Sequence, residues 1–257
     1  MEHRYPLFAG RRILKKEGLW TIRDYTYAGW QLQYAGYTDG ILNGCAVRAE
    51  EEALVIEKGM IKFRDFIYLL QEEERVPYKP ENARRVLKAE FSEEEGDPDS
   101  RLYRVRFFLD EVAECSENQL ELCRFYLREG SVLRDSYKSF SDMATEYDTI
   151  NLIHAAVAGT GERTLHPALL LQFAEELWEQ EGKDAVDTNF CLMIWNAQGK
   201  VERRVVSAYL EQKTGKDRMD DIRQRDPQRL YEGLERIADN RAGIKRDRTA
   251  AKKIIVE

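Results

Sequence analysis

The chain has 257 residues, 47 Asp+Glu against 40 Lys+Arg, a net charge of −7, and 43% hydrophobic residues. This is neither a disordered nor a disulfide-scaffold composition, and a chain of this length buries roughly 70–75% of its unfolded surface without needing a metal or disulfide to fold. No apolar run reaches the ~18 residues of a membrane-spanning helix. The opening MEHRYPLFAGRRILKKEG lacks the apolar core of a secretory signal, so the expected location is the cytoplasm, or a virion or released particle reached by a route that needs no signal.

Residues 17–35 predict a helix. Leu19, Ile22, Trp30 and Tyr34 follow a helical period, and Gly36, Asp39 and Gly40 mark its end. From 40 to about 140 the period changes to two. Residues 41–47 read as a strand with a bulge or turn at Asn43-Gly44. Residues 54–56, 60–63 and 66–70 follow as short strands, a spacing that suits a sandwich or barrel. Residues 71–100 are polar, and FSEEEGDPDSR reads as an acidic loop. Tyr103, Val105 and Phe107 alternate with arginines, and Cys123, Phe125 and Leu127 alternate with Arg124 and Tyr126. Arg128-Glu129-Gly130 reads as a hairpin turn within a second strand pair.

After 140 the period becomes helical. Tyr147, Ile150, Ile153 and Val157 form an i, i+3 stripe that predicts a helix closed by Gly159. A loop at 159–164 leads to a helix with Pro167 in its first position and Leu170, Phe173, Ala174, Leu177 and Trp178 on its apolar face. Helices are predicted over 184–198, stopped by Gly199, and over 201–212. A last one opens at Asp226-Pro227 and ends at Gly243. The remaining tail is basic with an apolar tip, Ile254, Ile255 and Val256, suited to adding a strand to a partner's sheet. The predicted class is α+β: a helix-led antiparallel β-sandwich over 1–140, an all-α helical domain over 146–242, and a basic tail over 243–257.

Chemistry-bearing motifs are missing. Gly159-Thr160-Gly161 lacks the third glycine of a dinucleotide loop, and neither a phosphate-binding GxxxxGK[ST] nor a GxSxG elbow occurs. Cys45, Cys115, Cys123 and Cys191 form no CxxC pair, and His3, His154 and His166 are dispersed. The acidic triplets at 50–52, 72–74 and 93–95 read as solvated loop charge. No catalytic, cofactor-binding or metal-binding residue is assigned. Residues 199–257 hold 16 Lys+Arg and 11 Asp+Glu, a balance of +5. That region leaves a nucleic-acid reading as an alternative, although acidic residues interleave with the basic ones and no recognition motif is present. An enzyme with an unrecognised site is the other alternative.

One block carries a resemblance. Gly36, Tyr37, Asp39, Gly40, Ile41, Gly44, Gly59, Ile61, Phe63 and Tyr68 resemble a recurrent piece of phage-tail and contractile-injection proteins. There a helix runs into a GxxDGIxxG motif and then a strand pair opening a β-sandwich. The order of parts is similar to that of the connector subunit of the type VI secretion baseplate. The chain departs from the pattern at Arg64-Asp65, where a second glycine is expected. The resemblance implies a non-enzymatic structural subunit of such a particle, without cofactor, contacting other subunits and other copies of itself. The leading helix crowds Trp20, Tyr25, Tyr27, Trp30, Tyr34 and Tyr37 together. Those aromatics are candidates for a core anchor or a subunit interface.

Overall fold

Glycine 40 sits where the chain turns from a helix into the first strand. Its φ is +154°, and a Cβ there would lie 2.6 Å from the Ala156 carbonyl oxygen. The computed structural model describes residues 13, 15–95, 101–214 and 226–251. Helix α1 spans Lys16–Gln33. Nine strands follow: β1 Gly40–Gly44, β2 Val47–Ala49, β3 Ala53–Ile56, β4 Gly59–Phe63, β5 Phe66–Leu70, β6 Glu74–Pro77, β7 Ala83–Glu95, β8 Arg101–Asp110 and β9 Gln119–Leu127. They form three antiparallel three-stranded sheets, β1-β4-β5, β2-β3-β6 and β8-β7-β9. Helices α2 Pro167–Glu179, α3 Ala185–Asn196, α4 Arg203–Thr214 and α5 Pro227–Ala251 come last. The class is α+β.

Apolar burial falls into two clusters. Leu54, Ile56, Ile61, Leu87, Leu122 and Phe125 lead the one among the sheets. Phe140, Phe173, Leu177, Phe190, Leu210 and Tyr231 lead the one among helices α2–α5. Tyr137 and Ala168 pack against both.

Helix ends follow capping chemistry. His166 caps α2 ahead of Pro167, and Asp184 and Asp187 form a reciprocal capping box on α3. Asp187, fully buried, also accepts from the Tyr209 hydroxyl at 2.8 Å and pairs with Lys213 at 3.0 Å, tying α3 to α4.

Four expectations need correction. The stripe at 147–157 is not a helix. The segment runs extended, bridging Tyr147 to Tyr126, Thr149 to Arg134, Asn151 to Arg124 and Val157 to Ile41. Its apolar residues are buried almost without interruption from Ile150 to Ala158, rather than on one face. Its polar residues favour other backbone geometry: Asp148 takes φ +52°, and Asn151 donates to the Met143 and Ala144 carbonyls while accepting from Ile153 N–H. The turn at 128–130 forms, but no hairpin follows. β9 pairs with β7, and Arg134 goes on to bridge Thr149.

The acidic segment 91–101 is not all loop, since the 13-residue β7 runs through it to Glu95, and β6 also lies in the polar stretch before it. Glu90 lies directly across from Arg106 on β8 and pairs with it at 2.7 Å, while Glu93 and Glu94 reach diagonally to Arg101 and Arg104 at 3.4 and 3.5 Å. A cross-strand charge ladder therefore stands where the acidic run suggested a solvated loop. Finally, α5 continues through Gly243 to Ala251. One glycine costs about 1 kcal/mol in a helix, and the Lys, Arg and Ala around it are good helix formers.

The bulge expected near Asn43 is present as a register shift between Ile41 and Asn43. At the β4–β5 turn, Arg64 holds the left-handed conformation, φ +53°, that the resembling pattern gives to glycine. Asp39 Oδ1 accepts from Arg64 N–H at 2.7 Å and steadies it.

Lys88 on the central strand β7 is buried to 1% exposure. Its ammonium donates to Asp110 at 2.9 Å and to the Glu114 carbonyl at 2.6 Å. Removing Asp110 leaves that charge buried with one partner fewer, whereas removing the lysine charge leaves only a part-exposed carboxylate. Asp110→Ala is expected to cost about 2–3 kcal/mol and Lys88→Met under about 1 kcal/mol. Urea midpoints of the two variants check the asymmetry.

Candidate interface and its anchor

Helix α1 has no buried residue. Its N-cap, Lys15, offers no side-chain cap. Trp20 is 48% exposed, Tyr25 66% and Leu32 79%, with Leu19, Ile22 and Tyr27 also exposed. Trp30 and Tyr34 are half-buried. The helix touches the body through a thin seam. The Tyr27 ring lies 6.3 Å from Phe66, which stacks on Tyr103 at 3.9 Å and meets Tyr68 edge-on at 4.9 Å. Gln31 Nε2 donates to the Asp65 carbonyl at 3.2 Å. Between the C-terminal half of α1 and the β4–β5 hairpin an open groove of about 510 Å³ remains, lined by Ala28, Gln31, Leu32, Lys62, Asp65 and Ile67.

The foot of α1 is held far more firmly. Tyr34 and Tyr37 meet edge-on at 5.3 Å, and Tyr37 bridges Thr160. Thr38 N–H donates to the Gly159 carbonyl at 2.9 Å, and Gly161 N–H donates to the Gly36 carbonyl at 3.0 Å. Ile41 N–H donates to Ala156 O at 2.7 Å, and Ala158 N–H donates back to Ile41 O at 3.0 Å. Arg163 Nε donates to the Asp39 carbonyl at 2.9 Å, and Lys62 pairs with the Asp39 carboxylate at 3.6 Å. From the α4 side, Glu202 accepts from Thr160 N–H and Oγ1–H, both at 2.8 Å. Three stretches distant in sequence, 36–41, 156–164 and 200–203, thus meet in one hydrogen-bonded knot. Of the resembling motif, Gly40 is its close-approach residue and Asp39 its turn residue, while Gly44 and Gly59 pack against each other at the β1–β4 pairing.

A cleft of about 600 Å³ opens beside the knot, lined by Tyr37, Thr38, Asp39, Glu162, Arg163 and Arg203. Its charges serve the fold. Arg203, 6% exposed, pairs with Glu162 at 3.4 Å, and Arg163 is committed to the Asp39 carbonyl.

No group of three His, Cys, Asp or Glu positioned for a metal occurs among the described residues. Burial pushes the Cys45 thiol up to about 12 and the Cys191 thiol to about 11, and raises Cys123 further. These are resting thiols, the opposite of a nucleophile's lowered pKa. Burial also lowers His154 and brings His166 down to about 4. Arg229 and Arg236 both lie beside Glu232, at 3.6 and 3.8 Å, and Arg203 is buried. These arginines do not form a continuous cationic face.

The candidates sort as follows. Tyr27 lies on the side of α1 that faces the body, Trp20 and Tyr25 are exposed, and Tyr34 and Tyr37 belong to the foot. The core-anchor reading of the helix falls, because nothing on it is buried. Ile254, Ile255 and Val256 lie outside the described residues. Sequence reading passed over Leu32 and Ile13, among the most exposed apolar side chains.

No family model and no curated protein matches the sequence. Solved structures give distant likenesses. A chain of the type VI secretion TssK-TssF-TssG baseplate subcomplex is 9% identical with a TM-score of 0.37, over 93% of this chain and 100% of that one. A crystal structure of TssK gives 9% and 0.37, over 91% of this chain and 69% of that one. A chain of the type VI secretion baseplate complex gives 12% and 0.32, over 93% and 100%. Among the described residues no helix is long and apolar enough to cross a membrane.

Two outcomes follow from this geometry. Gly40→Ala meets Ala156 O at 2.6 Å in a left-handed backbone and is expected to cost about 3 kcal/mol or more. Gly29→Ala has nothing within 4 Å and is expected to gain about 0.5–1 kcal/mol. Thermal unfolding of both reads the contrast.

The second outcome concerns acid. His166 Nδ1 accepts from Ala168 N–H at 3.2 Å, at the positive end of α2, and both conditions favour the neutral ring. With the folded pKa near 4 and the ordinary value 6.5, the unfolded chain binds the proton first. This stabilisation is complete above pH 6.5 and is lost as the pH falls toward 4. His166→Asn keeps a cap acceptor without the titration, so its urea midpoint is expected to fall less than wild type over that window.

Proposed function

We propose that the chain is a non-enzymatic structural subunit of a phage-tail-like or contractile injection particle, with α1 as a docking surface for other subunits. The observation that carries the reading is an 18-residue helix with aromatic and aliphatic side chains on several sides and no buried residue. Exposed apolar side chains gathered on one helix mark interaction sites. The kind of particle is taken from the motif spanning Gly36 to Tyr68. The body would be a sheet-built unit and a helical unit joined at the knot, assembled in the cytoplasm. Raised thiol pKa values, lowered histidines and charges engaged within the fold support a scaffold role over a catalytic one.

The test replaces Trp20 and Leu32 together by serine. Both are surface positions, so the stability change is expected to stay within about 1 kcal/mol. Incorporation of tagged chain into particles isolated from the producing cell is expected to be lost. Normal incorporation of the folded variant overturns the reading. Changing His154, His166 or any cysteine is expected to lower the melting temperature at most. Loss of a turnover activity from a folded variant of these residues argues for an enzyme.

A further inference from the structure

A cleft of about 350 Å³ opens between the β4–β5 turn, the end of β7 and the start of β8. Its wall is aromatic. Phe66 stacks on Tyr103 at 3.9 Å, Phe63 stacks on Phe91 at 4.3 Å, and Tyr68 meets Phe91 edge-on at 4.9 Å. Phe66 and Tyr103 are half-buried, so the wall keeps ring surface in the cleft. Gln31, whose amide donates to the Asp65 carbonyl, closes the end nearest α1. The lining charges balance, Arg64 and Arg101 against Asp65 and Glu93. Arg101 pairs with Glu93 at 3.4 Å, and the Arg64 guanidinium lies 5.4 Å from the centre of the Phe63 ring. The cleft therefore presents no excess charge to an anion or a cation.

Hydrogen-bonding capacity in this cleft goes unused by the fold. Tyr68 is 7% exposed, yet its hydroxyl has no hydrogen-bond partner among the described residues. A phenol this deep is ordinarily bonded. Burial raises its pKa, Tyr103 and Glu93 raise it further and Arg64 lowers it, so these groups converge on the hydroxyl. The Tyr103 hydroxyl and Asn118 Oδ1 also lack a partner among the described residues, while Asn118 Nδ2 donates to the Phe91 carbonyl at 3.3 Å. Each phenol both donates and accepts, Glu93 and Asn118 Oδ1 accept, and Arg101 donates. A ring wall below a mixed rim of donors and acceptors fits a ligand with an apolar C–H face and hydroxyls around its edge. We propose that this cleft binds a neutral saccharide, with one pyranose ring against Phe66 and Tyr103 and a sugar hydroxyl bonded to Tyr68 Oη. Unpaired polar groups at such a site favour a ligand that carries hydroxyls over one that lacks them. The volume lies at the small end of ligand sites and suits a short saccharide. Neither α1 nor its partners enter this inference, so it does not rest on the assembly reading.

Saturation-transfer NMR on the full chain tests this, with the methyl glycosides of glucose, galactose, mannose and N-acetylglucosamine as probes. The expected result is transfer to the ring C–H protons of at least one glycoside. Tyr68→Phe removes only the hydroxyl. Because that hydroxyl bonds nothing in the fold, the melting temperature is expected to stay while affinity falls roughly tenfold, the worth of one hydrogen bond. Tyr103→Ala is expected to remove the transfer. Tyr147→Phe changes an exposed tyrosine outside the cleft and is expected to alter neither reading. Transfer to none of these glycosides overturns the proposal. So does transfer that Tyr68→Phe and Tyr103→Ala both leave unchanged, which marks non-specific ring contact. A lower melting temperature of Tyr68→Phe with unchanged affinity makes the hydroxyl structural and overturns it as well. Transfer to N-acetylprolinamide in place of the glycosides overturns it in favour of a peptide.

Discussion

The backbone contact between Gly40–Ile41 and Ala156–Ala158 is the constraint on which the rest of the molecule depends. It joins the first strand to a stretch of chain more than a hundred residues later, through paired bonds of 2.7 and 3.0 Å. A side chain at position 40 has no room there. The contact makes 156–164 a strap with the foot of α1 on one side and, through Thr164 Oγ1 on the Val201 carbonyl and Glu202 on Thr160, the start of α4 on the other. Such non-local closure costs chain entropy before it is rewarded. Burial of Ile150, Ile153 and Leu165 on either side, in clusters that share Tyr137 and Ala168, offsets that cost.

That strap explains where sequence reading succeeded and failed. The alternating stretches of β8, where half-buried Tyr103 and Val105 alternate with exposed arginines, and of the end of β9, where buried Phe125 and Leu127 alternate with Arg124 and Tyr126, were legible, as were helices α2 and α3 with their Pro, Asp and Gly punctuation. The strap itself was misread. Its apolar residues fall at helical spacing by coincidence, since nearly every residue from 150 to 158 is buried regardless of face. Only Asp148 and Asn151, whose side chains engage non-helical backbone, argued against a helix. β7 was missed for the opposite reason. Its charges are matched by arginines on β8 that lie 8 to 16 residues further along the chain, and a local reading sees only the acidic half.

The site was legible in part. The aromatic crowding of α1 is visible in composition, but composition does not distinguish a core helix from an exposed one. Gly36, Asp39 and Gly40 could be read as a family pattern, not as a knot, because the residues they meet lie at 156–163. Lys88 gave no signal at all. A buried lysine looks like any other until Asp110 and the Glu114 carbonyl are seen around it.

The energetics of α1 point outward. An isolated helix of this length is marginal in water even when alanine-rich, and most helix stability in proteins comes from packing. This one contains Gly18, Gly29, Thr21 and Thr26 and lacks a side-chain N-cap, so propensity does not hold it. Among the described residues, its contacts with the body include a ring pair, a side-chain hydrogen bond and the anchored foot. Exposed aromatics on so weakly supported a helix add apolar surface in water without adding packing. Its exposed apolar surface is therefore supported mainly from the foot, where the knot around Gly40 and Ala156 fixes how the helix leaves the body.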